Sequence, residues 1–411
     1  MRMKLRKITA IVLTCLVVMS SPGCESQEKP ARSLGQILSP YRFNLALWEM
    51  RTAGDELEKL ISAQDDVKGD EISQVEEYFA TISRIKNLKL IMQVMKADYS
   101  QRDAALLQDE LERLHARGAD LESQVEQVME RQIRDALSEQ GIYHPLDGWL
   151  KLKTGFPPVN FILAEPPHIL VISPREKIET LKTVMLRASM SREEMESLEY
   201  EVDGLGFSSL VVRIGGIATY PAFVSNNSDL RTTIDTACEE WWHQYLMFKP
   251  LGFRYLLHLA GILPDYEIAT MNETAAGMLG QEIGAIVFAN YEAKNTDTSF
   301  PEPQVASDFD FNMEMREIRK AVDGYLAEGK TGEAETFMEQ KRQHLAAHGY
   351  YIRKLNQAYF AFYGCYADSP TSVDPIGVEL RELRDRSDSI RDFLDAVSVM
   401  TGREELSESL R

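Results

Sequence analysis

Two stretches decide how this chain is read: Asp235-Thr236-Ala237-Cys238-Glu239-Glu240-Trp241-Trp242-His243-Gln244, and further on Met271-Asn272-Glu273-Thr274-Ala275-Ala276. Both carry helical periodicity. On a helix Glu239 and His243, four apart, project from one face, and Glu240 lies one position round. Glu239, His243 and Glu273 gathered on one cation, with Glu240 as a free carboxylate, make the set a hydrolytic metal centre requires. Such a centre needs three protein ligands, an open position for water and a base within reach of that water. Ala276, Gly280 and Gly284 recur every four residues, and Gly277 stands four beyond Glu273. A stripe of small residues there lets a neighbouring backbone come close, or simply makes room for Trp241 or Trp242.

Working outward, Ile169-Leu170-Val171-Ile172 and Leu210-Val211-Val212-Arg213-Ile214 are β-branched runs bounded by turn residues and predict strands. The charged stretch from Arg175 to Glu201 between them is predicted helical. Gly215-Gly216 leads into Ile217-Ala218-Thr219-Tyr220-Pro221, an extended segment whose proline suits a sheet edge. Helices are predicted over Thr232 to Leu246 and Ala269 to Glu292, joined by a loop holding Pro250, Gly252, Gly261 and Pro264. Before this core, prolines cluster from Tyr143 to Pro167 and mark a boundary. Earlier still, Leu107, Leu111, Leu114, Leu121, Val125 and Val128 follow three- and four-residue steps and are predicted to line the packing seam of a long helix or helical hairpin.

The chain has 411 residues, 44% hydrophobic and 27% charged, with a net charge of −19. That composition is globular, and so acidic a surface argues against nucleic acid as a partner and against electrostatic adhesion to anionic lipid, both of which need basic patches to displace counterions. Ile8 to Met19 is apolar, follows Arg2, Lys4, Arg6 and Lys7, and is shorter than the roughly 20 residues of a membrane span. Residues 1–23 therefore read as an export signal. Gly23-Cys24 resembles the core of a bacterial lipobox, which implies cleavage before Cys24, lipid attachment there and a membrane-anchored, extracytoplasmic location. Cys15 lies in the signal, so Cys238 and Cys365 remain; two cysteines build no disulfide framework and no structural zinc site, although a single bridge stays open.

Glu-Trp-Trp-His followed by Asn-Glu-Thr-Ala-Ala resembles the paired motifs of gluzincin metallopeptidases, His-Glu-x-x-His on one helix and Asn-Glu-x-x-Ala on the next. More narrowly, the chain resembles bacterial lipoprotein or membrane-associated zincins and aminopeptidase-like proteins. Their C-terminal Asn-x-Ala-x-Phe pattern is matched by Asn356-Gln357-Ala358-Tyr359-Phe360. The resemblance covers about Phe156 to Tyr366. It implies His243 and Glu273 as metal ligands, Glu240 as general base, a peptide or protein substrate, and the segment with Gly215, Gly216 and Tyr220 as a substrate-binding edge strand.

Where the family places its first histidine, this chain has Glu239. Two carboxylates with a neutral imidazole cancel a charge of +2, where two histidines and a glutamate leave +1, so a bound water is less acidic. Oxygen-rich ligation also weakens the preference for zinc over manganese or iron. If Glu239 does not ligate, the site is a vestige that binds metal poorly or not at all, on a scaffold that binds peptides.

The fold expected is α+β and mainly α: a zincin-like core with a small sheet and two site helices, flanked by helical regions. The divisions are a signal at 1–23, an N-terminal helical region at 24–142, a core at 143–293, a linker at 294–308 and C-terminal helices at 309–411. His144, His168 and His258 read as isolated histidines. Tyr350, Tyr351, Tyr359 and Tyr363 are predicted on the C-terminal helices, where one could donate to an oxyanion but packing is the commoner use.

Overall fold

The computed structural model describes residues 33–45, 47–48, 70–94, 101–146, 155–292, 309–366, 369, 371–372 and 375–411. The export signal, Cys24 and the linker at 294–308 lie outside the described residues. Within them the chain is mainly helical α+β, with thirteen helices and two small three-stranded sheets.

Helix α1 (Leu34–Leu38) opens with a Ser33–Gln36 capping box. Helices α2 (Glu71–Val94) and α3 (Gln101–Glu139) pack along the leucine seam. Leu111, Leu121, Val125 and Val128 are buried there, the last two beside Val75 and Tyr78. Strands β1 (Phe161–Leu163), β2 (His168–Pro174) and β3 (Lys182–Leu186) precede helix α4 (Arg192–Asp203), and β4 (Phe207–Val212), β5 (Gly216–Ile217) and β6 (Ala222–Val224) follow.

The first sheet has the order β1-β6-β5, parallel between β1 and β6 and antiparallel between β6 and β5. Its β1 edge is covered, because Phe161 and Leu163 donate their backbone N–H groups to Glu130 and Glu126 of α3 at 3.0 and 2.7 Å. That leaves β5 as the other edge, where the sequence placed one. The second sheet, β3-β2-β4, is antiparallel. One face meets α4 through Leu170, Ile172 and Val211 against Met195, Leu198 and Val202. Its other face, Val171, Leu210 and Val212, meets Ala358.

Helices α5 (Leu230–Leu246), α6 (Pro250–Leu259) and α7 (Tyr266–Glu292) follow, then α8 (Phe311–Ala327), α9 (Thr331–Ala347), α10 (Gln357–Tyr363), α11 (Ile376–Asp385), α12 (Ile390–Val397) and α13 (Arg403–Ser409). One hydrophobic core takes Val125 and Met129 of α3, Phe161 of β1, Trp242 of α5, Leu279 and Ile283 of α7, and Leu380, Phe393 and Leu406 of the last three helices. Helix α3 and the last three helices therefore pack around the same helix pair.

Two expectations are corrected. The helix placed from Arg175 to Glu201 starts only at Arg192, where Ser191 and Glu194 close a capping box, and Lys182-Thr183-Val184 joins β2 as a strand instead. The loop expected between α5 and α7 contains α6. Pro250 sits in its first turn, where no backbone N–H is needed, and Gly261, at φ +68°, turns the chain out after it.

The small residues of α7 meet α5 at backbone distance. A Cβ added at Gly280 would lie 3.0 Å from the Glu239 amide nitrogen and 3.1 Å from the Asp235 carbonyl, and one at Gly284 would overlap the Asp235 carboxylate. The atoms nearest Gly277, Gly280 and Gly284 belong to Glu239 and Asp235 and not to Trp241 or Trp242, so of the two readings of the stripe, close helix approach is the one observed at the glycines. Gly280→Ala is expected to destabilise the fold by about 1–3 kcal/mol, since neither backbone gives way easily. Gly324→Ala on α8 faces open space and should instead be neutral or stabilise by up to about 1 kcal/mol. Thermal or urea unfolding of the two variants checks the contrast.

Candidate metal centre

Helix α5 begins at Asp229, whose side chain accepts from the Thr232 amide, and its pitch then sets Glu239 and His243 on the side facing α7. Because Gly280 and Gly284 let α7 lie against that side, Glu273 arrives opposite them. One donor atom from each of Glu239, His243 and Glu273 falls within 4.8 Å of the other two, and His243 Nε2 stands 3.7 Å from Glu273 Oε2. Two ligands at about 2.0–2.1 Å from one ion in tetrahedral arrangement lie roughly 3.4 Å apart, so this spacing accepts a cation with little movement. The side chains of His243 and Glu273 are 13% exposed, enough for a small ligand to enter and too little for free solvation.

Asn272 holds the imidazole. Its amide nitrogen is 2.9 Å from His243 Nδ1, while its Oδ1 is buried without a hydrogen-bond partner. Turning the amide over lets Oδ1 accept from Nδ1–H, satisfies the orphaned oxygen, and leaves the Nε2 lone pair directed at the carboxylate cluster. Tyr255 of α6 donates its hydroxyl to Glu273 Oε1 and so orients the second glutamate.

Electrostatics favour a cation. Burial, followed by the charges of Glu273 and Asp235, pushes the Glu239 carboxyl up to about 8. Burial again, with Glu239 and Glu273, holds Glu240 well above the usual carboxylate range. Carboxylates this close cannot all ionise unless positive charge lies among them. The donor set is the one a zinc, manganese or iron ion accepts, and the geometry fits it.

Glu240 lies outside the triad, under the edge strand. A Cβ at Gly216 would come 2.5 Å from Glu240 Oε1 and 2.8 Å from Thr236 Cγ2, so only glycine lets β5 cross there. Gly215 stands over Thr236 with more room, since a Cβ there would meet Thr236 Oγ1 at 3.5 Å, an ordinary contact. Beyond β5 the chain is tied to α5 by Gln244, which donates to the Thr219 carbonyl, and Tyr220 follows, half-buried.

The isolated histidines stay outside the cluster. His144 stacks on Phe156, His168 is buried at the start of β2, and His258 accepts from the Asp265 amide while stacking beside Tyr255. The four tyrosines picked out in sequence also lie elsewhere. Tyr350 and Tyr351 lie past the end of α9 at Ala347 and not on a helix as expected, Tyr350 stacking on Phe311 and Tyr351 86% exposed, while Tyr359 and Tyr363, on α10, pack on each other beside the second sheet. Besides Tyr255, the tyrosine that feels the cluster is Tyr366, whose hydroxyl is held protonated above all by the charge of Glu273, then by burial and Glu239. It comes three residues after Tyr363, past the helix end at Gly364, where periodicity stops carrying information. Cys238 and Cys365 are both free thiols.

No protein-family model matches the chain, and no curated protein or solved structure matches it significantly.

Without metal, Glu239 keeps its proton in the folded state to a higher pH than the roughly 4.3 of an unfolded chain. The folded state then binds the extra proton, so stability is greatest below about 4.3 and falls as pH rises toward about 8. Melting temperatures in EDTA between pH 5 and 9 should decline from this source, and zinc or manganese should flatten the decline.

Proposed function

We propose that this chain is a metal-dependent peptidase of gluzincin type, exported and held at the extracytoplasmic face of a bacterial membrane by a lipid on Cys24. The observation that carries the reading is the convergence of Glu239, His243 and Glu273 on one point, beside a buried Glu240 over which an edge strand passes. His243, Glu273 and Glu239 would hold the ion. When bound, the ion supplies a Lewis acid that polarises a water and the scissile carbonyl.

The rest belongs to the chain. Asn272 fixes the His243 tautomer, and Tyr255 fixes Glu273. The β5 edge offers backbone groups to an extended peptide, which would add to the sheet as a further strand, with Gly215, Gly216 and Tyr220 along its path. Glu240 takes the proton of the attacking water on its carboxylate and returns it to the leaving amine nitrogen. Tyr366 keeps its hydroxyl proton beside the acidic cluster and can donate it to the developing oxyanion.

Glu239 favours a second reading. A set of two carboxylates and a neutral imidazole neutralises a divalent ion and leaves a weaker Lewis acid, which fits a scaffold that holds an extended peptide without cutting it.

Metal analysis of the purified chain separates the two, with about one equivalent of a transition metal expected for the peptidase. No bound metal after addition of zinc or manganese removes that reading. In a metal-loaded, active chain, Glu240→Gln should keep the metal and lower peptide cleavage by about 10²-fold or more. Glu239→His should raise zinc affinity and hydrolysis together; unchanged values would show that Glu239 is not the position that limits the site.

A further inference from the structure

Of the seven histidines in the chain, only His344 and His348 stand four apart. Both lie at the C-terminal end of α9, His344 in the last turn and His348 at the cap, so their side chains leave the same side of the helix. Neither belongs to the cluster between α5 and α7. Two histidines at this spacing on one helical face are the chelating unit that metal-binding helices use.

The two rings stand at the separation a shared ion requires. Bonds of about 2.0–2.1 Å place each imidazole centre about 3.1–3.2 Å from the ion, and angles of about 90–110° there set the two centres about 4.4–5.2 Å apart. The observed separation is 4.6 Å. The ring planes are inclined at 58°, unlike a parallel stack, in which the in-plane lone pairs would run side by side.

Contacts around the pair hold it in place. His348 Nδ1 is 3.0 Å from the His344 carbonyl oxygen, so Nδ1–H donates there and the lone pair is left on Nε2. A histidine that ligates through one nitrogen commonly donates the other to such a carbonyl, which fixes its tautomer. Phe309 stacks on His348 at 4.1 Å and 16° and meets His344 obliquely at 5.8 Å, so both rings are braced from the side.

The His344 side chain is 46% exposed, and an ion reaches it from solvent. Glu314 of α8 stands just outside the pair, its Oε1 4.0 Å from His344 Nε2 and 2.7 Å from Lys341 Nζ. Lys341 keeps that carboxylate occupied, which leaves the remaining coordination positions to water. Two imidazoles and water suit copper(II), nickel(II) or zinc, and copper(II) binds most tightly in the general order of divalent affinities.

We propose that His344 and His348 form a second metal site, on the surface, that takes a divalent late transition ion, copper(II) ahead of nickel and zinc. His348 ligates through Nε2, His344 completes the chelate, and the ion ties the last turn of α9 to its cap. The site is independent of whether the cluster at His243 binds metal.

The test uses the full chain with Cys15→Ser and Cys24→Ser, which removes two thiols able to reduce copper. Its probe is the copper(II) complex of iminodiacetate, which offers adjacent positions to a histidine pair and is too bulky for the cluster, where His243 and Glu273 are 13% exposed. About one equivalent should bind, and electron spin echo modulation should show two coordinated imidazoles. His344→Gln or His348→Gln should weaken binding at least about tenfold and leave a single imidazole, whereas the exposed His115→Gln should change neither reading. No binding, or a single imidazole in the chain that keeps both histidines, overturns the proposal. So does undiminished binding when His344→Gln and His348→Gln are combined, which places the copper elsewhere, or an equal loss with His115→Gln, which marks adventitious binding only.

Discussion

Everything at the candidate site depends on how closely α5 and α7 approach. Gly280 lies against the backbone of Glu239 and Asp235, and Gly284 against the Asp235 side chain. With larger residues the helices would stand apart by an ordinary interaxial distance of about 8–10 Å or more, and Glu273 would lose its place opposite His243. Close packing brings a cost, because it also gathers carboxylates in a partly dry space. Glu239 and Glu240 respond by holding protons, and a cation removes the need.

The helices outside this pair serve it. Glu126 and Glu130 of α3 satisfy the outer N–H groups of β1, which would otherwise be an open edge, and so leave the β5 side as the edge of that sheet. Because Gly216 has no side chain, β5 can cross directly above Glu240. From the other end, α11, α12 and α13 pack on α7 through Leu380, Phe393 and Leu406. An N-terminal region with no evident role in sequence therefore has a specific one, closing one side of a sheet whose other side passes over the carboxylate cluster.

Legibility followed periodicity. The leucine seam of α3, the strands at Ile169–Ile172 and Leu210–Val212 and the helices bearing His243 and Glu273 were all readable, since each is a repeated local pattern. Lys182-Thr183-Val184-Met185-Leu186 was not, because its strand character comes from pairing with β2. Helix α6 was hidden by Pro250 and Gly252, residues that usually break helices. Here the proline occupies the first turn, and the glycine sits against the Leu246 carbonyl, where a Cβ would collide. Among the four tyrosines picked out in sequence only Tyr359 and Tyr363 lie on a helix, whereas Tyr366, which feels the charge of Glu273, follows the helix end at Gly364.

By itself the sequence determined the mainly helical α+β class, the pairing of Glu239 with His243 on one helical face, and the glycine stripe on the helix carrying Glu273. These are consequences of the helical repeat and of side-chain size, which act locally. Tertiary structure alone decided that the three ligands meet within 4.8 Å and that Asn272 and Tyr255 orient two of them. Those are contacts between residues far apart in the chain or at the ends of elements. No repeat encodes them, and they exist only once the core has set the helices in place.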